Sequence, residues 1–165
     1  MSTSTFVISY AYSVTYVTTK MLLMLKEIIR EIGLDPSHFV NDWDSNERAI
    51  AAWLASRHLE RVTLEVYDPR NNALVSRWDI DVLYASVGDG SLWVDTVAIR
   101  YAIIKSGLVP SACLYDIKVK NKQGRPDVQG WGPCQYRSTD GFKRYTLGAT
   151  VSGNGLSAQT SYWSR

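Results

Sequence analysis

The sequence predicts an α+β domain in which helices pack on an antiparallel sheet, and three patterns support this fold class. Apolar residues near the N-terminus recur at helical spacing, apolar and polar residues alternate along the middle, and a second helical segment precedes further alternating segments. Spacings of three and four residues are typical of helices, whereas alternation is typical of strands with one buried face. The 165 residues show no internal repeat, so they predict one domain.

The first element is a long helix, predicted over about residues 13–32. Gly33 fits the position that follows a helix, and Pro36 prevents its continuation. The β-branched residues within 15–19 weaken helix propensity near its start. Its apolar stripe consists of Val14, Val17, Met21, Leu25, Ile28 and Ile32.

A shorter second helix is predicted to begin at Asp44, because Asp44 and Glu47 have the spacing of a capping box. Ile50, Trp53 and Leu54 follow on its expected buried face.

An antiparallel hairpin is predicted next. Val62, Leu64 and Val66 alternate with polar residues, and the turn DPRNN leads into a second alternating segment. That segment carries Trp78, Ile80, Val82 and Tyr84 on one side and Arg77, Asp79 and Asp81 on the other. We therefore expect a hairpin with one buried and one solvated face.

A central helix within residues 91–107 is expected to be buried, since it is apolar on much of its circumference. Gly107 and Pro110 end it. The residues expected on its packed face are Val94, Val97, Ala98, Tyr101 and Ile104.

An edge strand is predicted after this helix, in the segment CLYDIKVKNK. Lysine at alternate positions discourages unwanted pairing of an exposed edge, yet such an edge can accept an added peptide strand through main-chain hydrogen bonds. Tyr115, Ile117 and Val119 alternate here with Asp116, Lys118 and Lys120.

The C-terminal part is predicted to be a long loop, residues 120–141, followed by a mobile hairpin that turns near Gly153-Asn154-Gly155. Loops this long are usually functional or disordered. We expect the preceding elements to fold without the residues after about Gly124, with Tyr145, Leu147 and Val151 covering part of the sheet.

Composition excludes several classes. A net charge of +2 is too small to indicate a nucleic-acid partner by itself. Cys113 and Cys134 form no CxxC pair, and the N-terminus lacks the features of a signal peptide or membrane helix. We therefore expect a cytoplasmic protein that does not bind membranes.

No catalytic signature is present, and we expect no enzyme activity, no metal and no cofactor. A small hydrolase could use Cys134 or Cys113 with His38 or His58, or the pair Asp79 and Asp81. Gly88-Asp89-Gly90 lacks the other residues of a phosphate loop.

A single-stranded nucleic-acid-binding module is the other alternative. Tryptophans could stack on bases, and basic side chains could contact phosphates. The residues concerned are Trp131, Trp163, Lys118, Lys120, Lys122, Arg125, Lys143 and Arg144.

The order of elements resembles that of HORMA domains over essentially the whole chain. Three stretches, SYAYSVTYVTTKMLLMLKEIIREIGLDP, LEVYDPRNNALVSRWDIDV and WVDTVAIRYAII, resemble the bacterial HORMA proteins of cyclic-oligonucleotide (CBASS) antiphage operons. The resemblance implies a single HORMA domain over residues 1–165. Its core would cover about residues 6–122, and a C-terminal safety belt would cover about residues 123–165.

The resemblance also implies a function. The safety belt would wrap a closure-motif peptide that pairs with the edge strand, at Tyr115, Ile117, Lys118, Val119 and Lys120. The belt residues expected to matter are Trp131, Tyr145, Leu147, Val151, Tyr162 and Trp163. The closed form would then bind and activate a cGAS/DncV-like nucleotidyltransferase.

Two further expectations follow from the resemblance. A Pch-type AAA+ ATPase would reopen the domain by pulling on an N-terminal handle formed by Ser2, Thr3, Ser4, Thr5 and Phe6. Any contact with DNA would be made through the nucleotidyltransferase complex.

Overall fold

The computed structural model describes residues 8–84 and 91–165. Its helices and strands follow in the order α1 (Tyr10–Glu31), α2 (Ser37–Asn41), α3 (Trp43–Ala55), β1 (Leu59–Asp68), β2 (Ala73–Leu83), β3 (Trp93–Val94), α4 (Thr96–Ser106), β4 (Leu114–Asn121), β5 (Lys143–Gly153) and β6 (Leu156–Ser164). The strands form one sheet in the order β3-β5-β6-β2-β1-β4, with antiparallel pairing throughout. The predicted α+β class with an antiparallel sheet is confirmed.

Helix α1 packs across the sheet and supplies much of the core. Met21, Leu25 and Ile28 are fully buried, as their helical spacing predicts. The helix begins at Tyr10, three residues before the predicted start, because the Ser9 side chain accepts a hydrogen bond from the Tyr12 amide and caps it. At the other end Gly33 adopts a φ of 98°, as the residue after a helix commonly does.

The start of α3 differs from the prediction. Helix α3 begins at Trp43, and its N-cap residue, Asp42, makes no side-chain capping bond. The expected capping box is not formed, because Asp44 lies within the first turn and the Glu47 carboxylate accepts a hydrogen bond from Trp43 Nε1. The short helix α2 was not predicted at all.

The prediction that one face of the first hairpin is solvated is wrong. Thr63, Glu65 and Asp79 are 0% exposed, as are Val62, Leu64, Val66, Trp78 and Ile80 on the opposite face. The chain between β4 and β5, residues 122–142, covers the polar face with its second half, which makes hydrogen bonds to that face. We call this chain the crossing segment.

Helix α4 buries a different face from the one predicted. Ile99, Ala102 and Ile103 are buried, whereas Val97 is 61% exposed, Tyr101 64% and Ile104 74%. Leu108, just beyond the helix, is also exposed. These four residues form an apolar stripe at helical spacing, named the α4 stripe below.

The C-terminal hairpin is central to the sheet and not a mobile appendage. Strand β6 lies between β2 and β5, and Val151, Leu156 and Ala158 are 0% exposed. The expectation that the domain folds without the residues after Gly124 therefore rests on a wrong premise. A chain ending there would lose two sheet strands and leave α1 without part of its packing surface.

No helix within residues 8–84 and 91–165 combines the length and apolar character needed to cross a membrane.

Candidate functional site

Strand β4 has one free edge in the described part of the chain. It pairs with β1 on one side and is the last strand of the sheet. The Lys122 amide donates to the His58 carbonyl, so main-chain groups of Lys118, Lys120 and Lys122 point towards β1. Because strand residues alternate, the main-chain groups of Tyr115, Ile117 and Val119 point away from β1. This edge can accept another strand.

The side chains of Tyr115, Ile117 and Val119 face the helices, since their partners on β1 are core residues. The Tyr115 hydroxyl donates to the Asp35 carbonyl at 2.9 Å and accepts from the Phe39 amide at 3.1 Å. Burial raises the pKa of Tyr115, so its hydroxyl stays protonated at neutral pH. The two hydrogen bonds of the Tyr115 hydroxyl hold α2 beside the start of β4.

The first half of the crossing segment runs beside α3, on the helix side of the sheet. Trp53 Nε1 donates to the Pro126 carbonyl at 2.7 Å, and Trp131 Nε1 donates to Ser45 Oγ at 3.2 Å. The rings of Trp53 and Trp131 meet edge to face, with their centroids 5.7 Å apart. These contacts hold the first half of the crossing segment against α3.

The second half of the crossing segment lies on the opposite face of the sheet. Lys118 Nζ donates to the Gln135 carbonyl at 2.5 Å, and the Arg137 amide donates to Glu65 Oε2 at 2.9 Å. The Cys134 sulfur lies 3.9 Å from the Val119 carbonyl oxygen, which agrees with an outward orientation of that carbonyl. The crossing segment therefore passes around the free edge of β4 from one face of the sheet to the other.

A cluster of four charged residues fastens this second half, and we call it the clasp: Glu65, Asp116, Lys118 and Arg137. Arg137 Nη1 donates to Glu65 Oε1 at 2.8 Å and to Asp116 Oδ2 at 3.0 Å. Lys118 Nζ donates to the same Glu65 oxygen at 2.6 Å. Glu65 is fully buried, so two cations and a main-chain amide satisfy a carboxylate that water cannot reach.

Arg137 is held from several further directions. Its Nε and Nη2 both donate to Asn72 Oδ1, and its guanidinium lies 3.7 Å from the centroid of the Tyr67 ring. Burial alone would lower the pKa of Arg137, but hydrogen bonds with Asp116 and Glu65 outweigh it and raise the pKa above its ordinary value. The guanidinium is a fixed charge in this site.

Tyr136 extends the same contact over β2. The Arg77 guanidinium lies 4.4 Å from the centroid of its ring. Burial raises the pKa of the Tyr136 hydroxyl, which remains neutral. Polar residues of β1 and β2 are thus covered by the crossing segment.

Between the crossing segment, β4 and the α2–α3 wall lies a cavity of about 840 Å³. We call it the groove. Its walls are Tyr115 to Lys122 on the sheet side, Phe39, Asp42, Asn46 and Trp53 on the helix side, and residues of the crossing segment. Asn121 lines it, and its buried side-chain oxygen has no partner among the described residues. An added strand on β4 would occupy this space.

The structure separates the predicted belt residues into two groups. Trp131 lines the groove, but the others lie in the β5–β6 hairpin away from it. Tyr162 stacks on Trp78 and Tyr145, with centroids 4.9 Å and 5.1 Å apart. Val151 is fully buried, Leu147 packs on the core, and Trp163 Nε1 donates to Asp79 Oδ2 at 3.0 Å. All five hold the hairpin in the sheet.

Sequence reasoning missed Arg137 and the α2–α3 wall. Arg137 lies 72 residues from Glu65 in the chain, so no local pattern marks the pair. The nearest signal was Glu65 itself, a carboxylate within a strongly apolar strand, which requires a partner when both faces are covered.

The candidate residues for hydrolysis are occupied by structural contacts. Asp79 is fully buried and accepts hydrogen bonds from Thr63, Arg77 and Trp163. Asp81 pairs with Arg61 and Arg144. Within residues 8–84 and 91–165 neither cysteine is bonded to a histidine, and no group of three or more potential metal ligands occurs.

The residues proposed for stacking on nucleic acid are similarly engaged, since Trp131 packs on Trp53 and the Trp163 indole bonds to Asp79. The predicted N-terminal handle, residues 2–6, lies outside the described residues. Gly88-Asp89-Gly90 does so too.

Solved structures share this architecture. A chain of a mitotic checkpoint complex matches with a TM-score of 0.75 and 10% identity, covering 93% of this chain and 98% of that one. HTP-2 of C. elegans, bound to a HIM-3 closure motif, matches with a TM-score of 0.71 and 13% identity, covering 96% of this chain and 92% of that one. A chain of the E. coli MS115-1 CdnC:HORMA-deltaN complex matches with a TM-score of 0.62 and 14% identity, covering 100% of this chain and 93% of that one.

At such identities these matches show the fold, which is that of HORMA domains. No curated protein matches the chain at the level of sequence. The family model "Bacterial HORMA domain 2" matches residues 1–165, the whole of the sequence. The chain therefore belongs to the bacterial HORMA domain family.

Proposed function

We propose that this protein is a peptide-binding conformational switch, acting by binding and not by catalysis. The observation that carries the proposal is the crossing segment, which encloses the free edge of β4 and leaves a groove of about 840 Å³ beside it. An extended peptide on β4 would bond to the outward main-chain groups of Tyr115, Ile117 and Val119.

The arrangement corresponds to the closed state of such a switch. The β5–β6 hairpin pairs with β2, on the side of the first hairpin remote from β4, and the crossing segment spans the sheet between them. A peptide in the groove would be held by strand pairing and surrounded by covalent chain. Its release would require the crossing segment to detach, so its dissociation would be slow. The division into a core of residues 6–122 and a belt of residues 123–165 belongs to this proposal.

HTP-2 is seen with a closure motif, which supports the peptide as ligand, and a HORMA chain is seen in complex with CdnC. By this analogy the closed domain binds and activates a cGAS/DncV-like nucleotidyltransferase of a CBASS antiphage system, through which DNA could be contacted. The α4 stripe is the surface we assign to that partner. Three of its apolar side chains lie exposed on one face of α4 and the fourth, Leu108, follows just beyond the helix, an arrangement that marks interaction sites.

Reopening of the switch is assigned to a Pch-type AAA+ ATPase that pulls on residues 2–6. Such pulling would reach the switch through α1. The Asn154 amide donates to Ser13 Oγ at 2.8 Å, and the Asn154 side chain donates to the Ile8 carbonyl at 2.7 Å. The chain entering α1 is thus bonded directly to the turn of the β5–β6 hairpin, which must move when the domain opens.

The peptide site is tested by replacing Val119 with proline. Because the Val119 amide points away from β1, its loss leaves the β1–β4 ladder intact but removes one donor to the peptide and distorts the edge. We expect affinity for a peptide selected from a displayed library to fall at least about tenfold, measured by calorimetry.

The matched control is Val119→Ala, which loses the same side chain but keeps the amide. We expect it to bind the peptide within a few fold of the parent. If the folded proline variant binds as tightly as the alanine variant, the peptide does not pair with this edge.

A further inference from the structure

The groove has two electrically different ends. At the start of β4 it is lined by His38, Asp42 and Asp116. Near the end of β4 it is lined by Lys120, Lys122 and Arg125. Asp116 and Lys120, the nearest charged residues of the two ends on β4, are about 13 Å apart along a strand, beyond the Debye length of about 8 Å at physiological salt. The two ends therefore act separately on a bound chain.

The cations at the second end are weakly neutralised within the protein. Lys120 Nζ lies 3.7 Å from Glu60, and both side chains are solvent-accessible. Arg125 lies 3.4 Å from the fully exposed Asp127, and its guanidinium stacks on Trp53. Among residues 8–84 and 91–165 no ion pair is found for Lys122, whose ammonium lies 5.0 Å from the centroid of the Tyr84 ring.

At the acidic end, the start of β4, one of the two carboxylates is already paired with a cation of the protein. Asp116 accepts from Arg137 within the clasp, and Lys118 is likewise engaged by Glu65. The charge available to a ligand is therefore positive at the end containing Lys120, Lys122 and Arg125, and slightly negative at the end containing Asp42.

We propose that the groove selects an extended peptide whose acidic side chains lie beside Lys120, Lys122 and Arg125. This inference rests on the proposed function and specifies the chemistry of its ligand. Strand pairing alone is tolerant of register, because main-chain bonds are the same in every register. An acidic segment against the basic end would fix both the register and the direction of the peptide, since like charges at the other end disfavour the reverse.

A nucleic acid would also supply negative charge to this end. The peptide is favoured because the groove offers an unpaired strand edge, and because the indoles of Trp53 and Trp131 pack on each other. Bases could not stack there without separating these rings.

The test selects a displayed library of random peptides on the full-length protein and measures the binding of the enriched peptides. We expect aspartate and glutamate to be enriched at one end of the consensus. The variant Lys120→Glu/Lys122→Glu should bind the consensus peptide at least tenfold more weakly and should prefer a copy with lysine in place of the acids.

The matched control is Lys105→Glu/Lys143→Glu, which makes the same charge change at exposed lysines outside the groove. It should bind the consensus peptide as the parent does. A consensus that binds without acidic enrichment, or an unchanged affinity in the groove variant, would overturn this inference and leave the peptide switch standing.

Two other results would overturn the inference together with the peptide switch. One is the failure of any peptide to bind. The other is displacement of the bound peptide by an oligothymidylate that binds the protein more tightly, which would identify a nucleic-acid groove.

Discussion

Replacing Arg137 by alanine is expected to lower the free energy of unfolding by about 3 kcal/mol. Removing one partner of a buried ion pair leaves an uncompensated charge, and losses of about 3–5 kcal/mol are typical. The lower end of this range applies because the buried Glu65 keeps Lys118 as a partner. Denaturant unfolding followed by circular dichroism measures the change.

The control for this prediction is Arg70→Ala. Arg70 also pairs with a carboxylate, that of Asp68, but its side chain is 87% exposed, so its loss should change stability little. Arg137→Lys should fall between the two, because lysine keeps the charge but not the planar fork that contacts Glu65 and Asn72. Equal stability of the Arg137→Ala and Arg70→Ala variants would show that the clasp does not hold the crossing segment.

Replacing Ile104 by aspartate is expected to weaken binding of the nucleotidyltransferase at least about tenfold. Ile104 is 74% exposed near the middle of the α4 stripe, so the substitution removes no internal packing. In a complex the same position would bury an unpaired charge, and central interface residues commonly contribute about 2 kcal/mol or more. Titration calorimetry with a cGAS/DncV-like nucleotidyltransferase measures the effect.

Leu23→Asp is the matched control, because Leu23 is an exposed apolar residue on α1, 44% accessible and outside the α4 stripe. It should bind the nucleotidyltransferase like the parent. Normal binding by a folded Ile104→Asp variant would mean that the α4 stripe serves another purpose.

Much of the fold follows from local patterns. The helical spacing in α1 and the alternation in β1 and β2 determine these elements, because each buries a face against the same core. Alternation could not show what covers the polar face of the first hairpin. That cover is Tyr136 and Arg137, whose contacts depend on the path of the chain between β4 and β5.

The face of α4 was unpredictable for a different reason. Apolar residues surround much of this helix. Their spacing therefore does not indicate whether the face with Ile99 and Ile103 or the face with Val97 and Ile104 is buried. The actual choice depends on where β5 and β6 lie, and these strands come later in the chain. The free edge of β4 was recognisable from its alternating lysines, but the groove beside it requires Trp53, Ser45 and Trp131 to meet in space.

The central claim, that a peptide pairs with the free edge of β4, is tested most directly by residue-resolved amide hydrogen exchange with and without the selected peptide. The amides of Ile117 and Val119 face the groove, whereas those of Lys118 and Lys120 face β1. We predict that the peptide slows exchange strongly at Ile117 and Val119 and much less at Lys118 and Lys120, whose amides are already bonded. Equal protection at all four amides, or none at Ile117 and Val119, would contradict the claim.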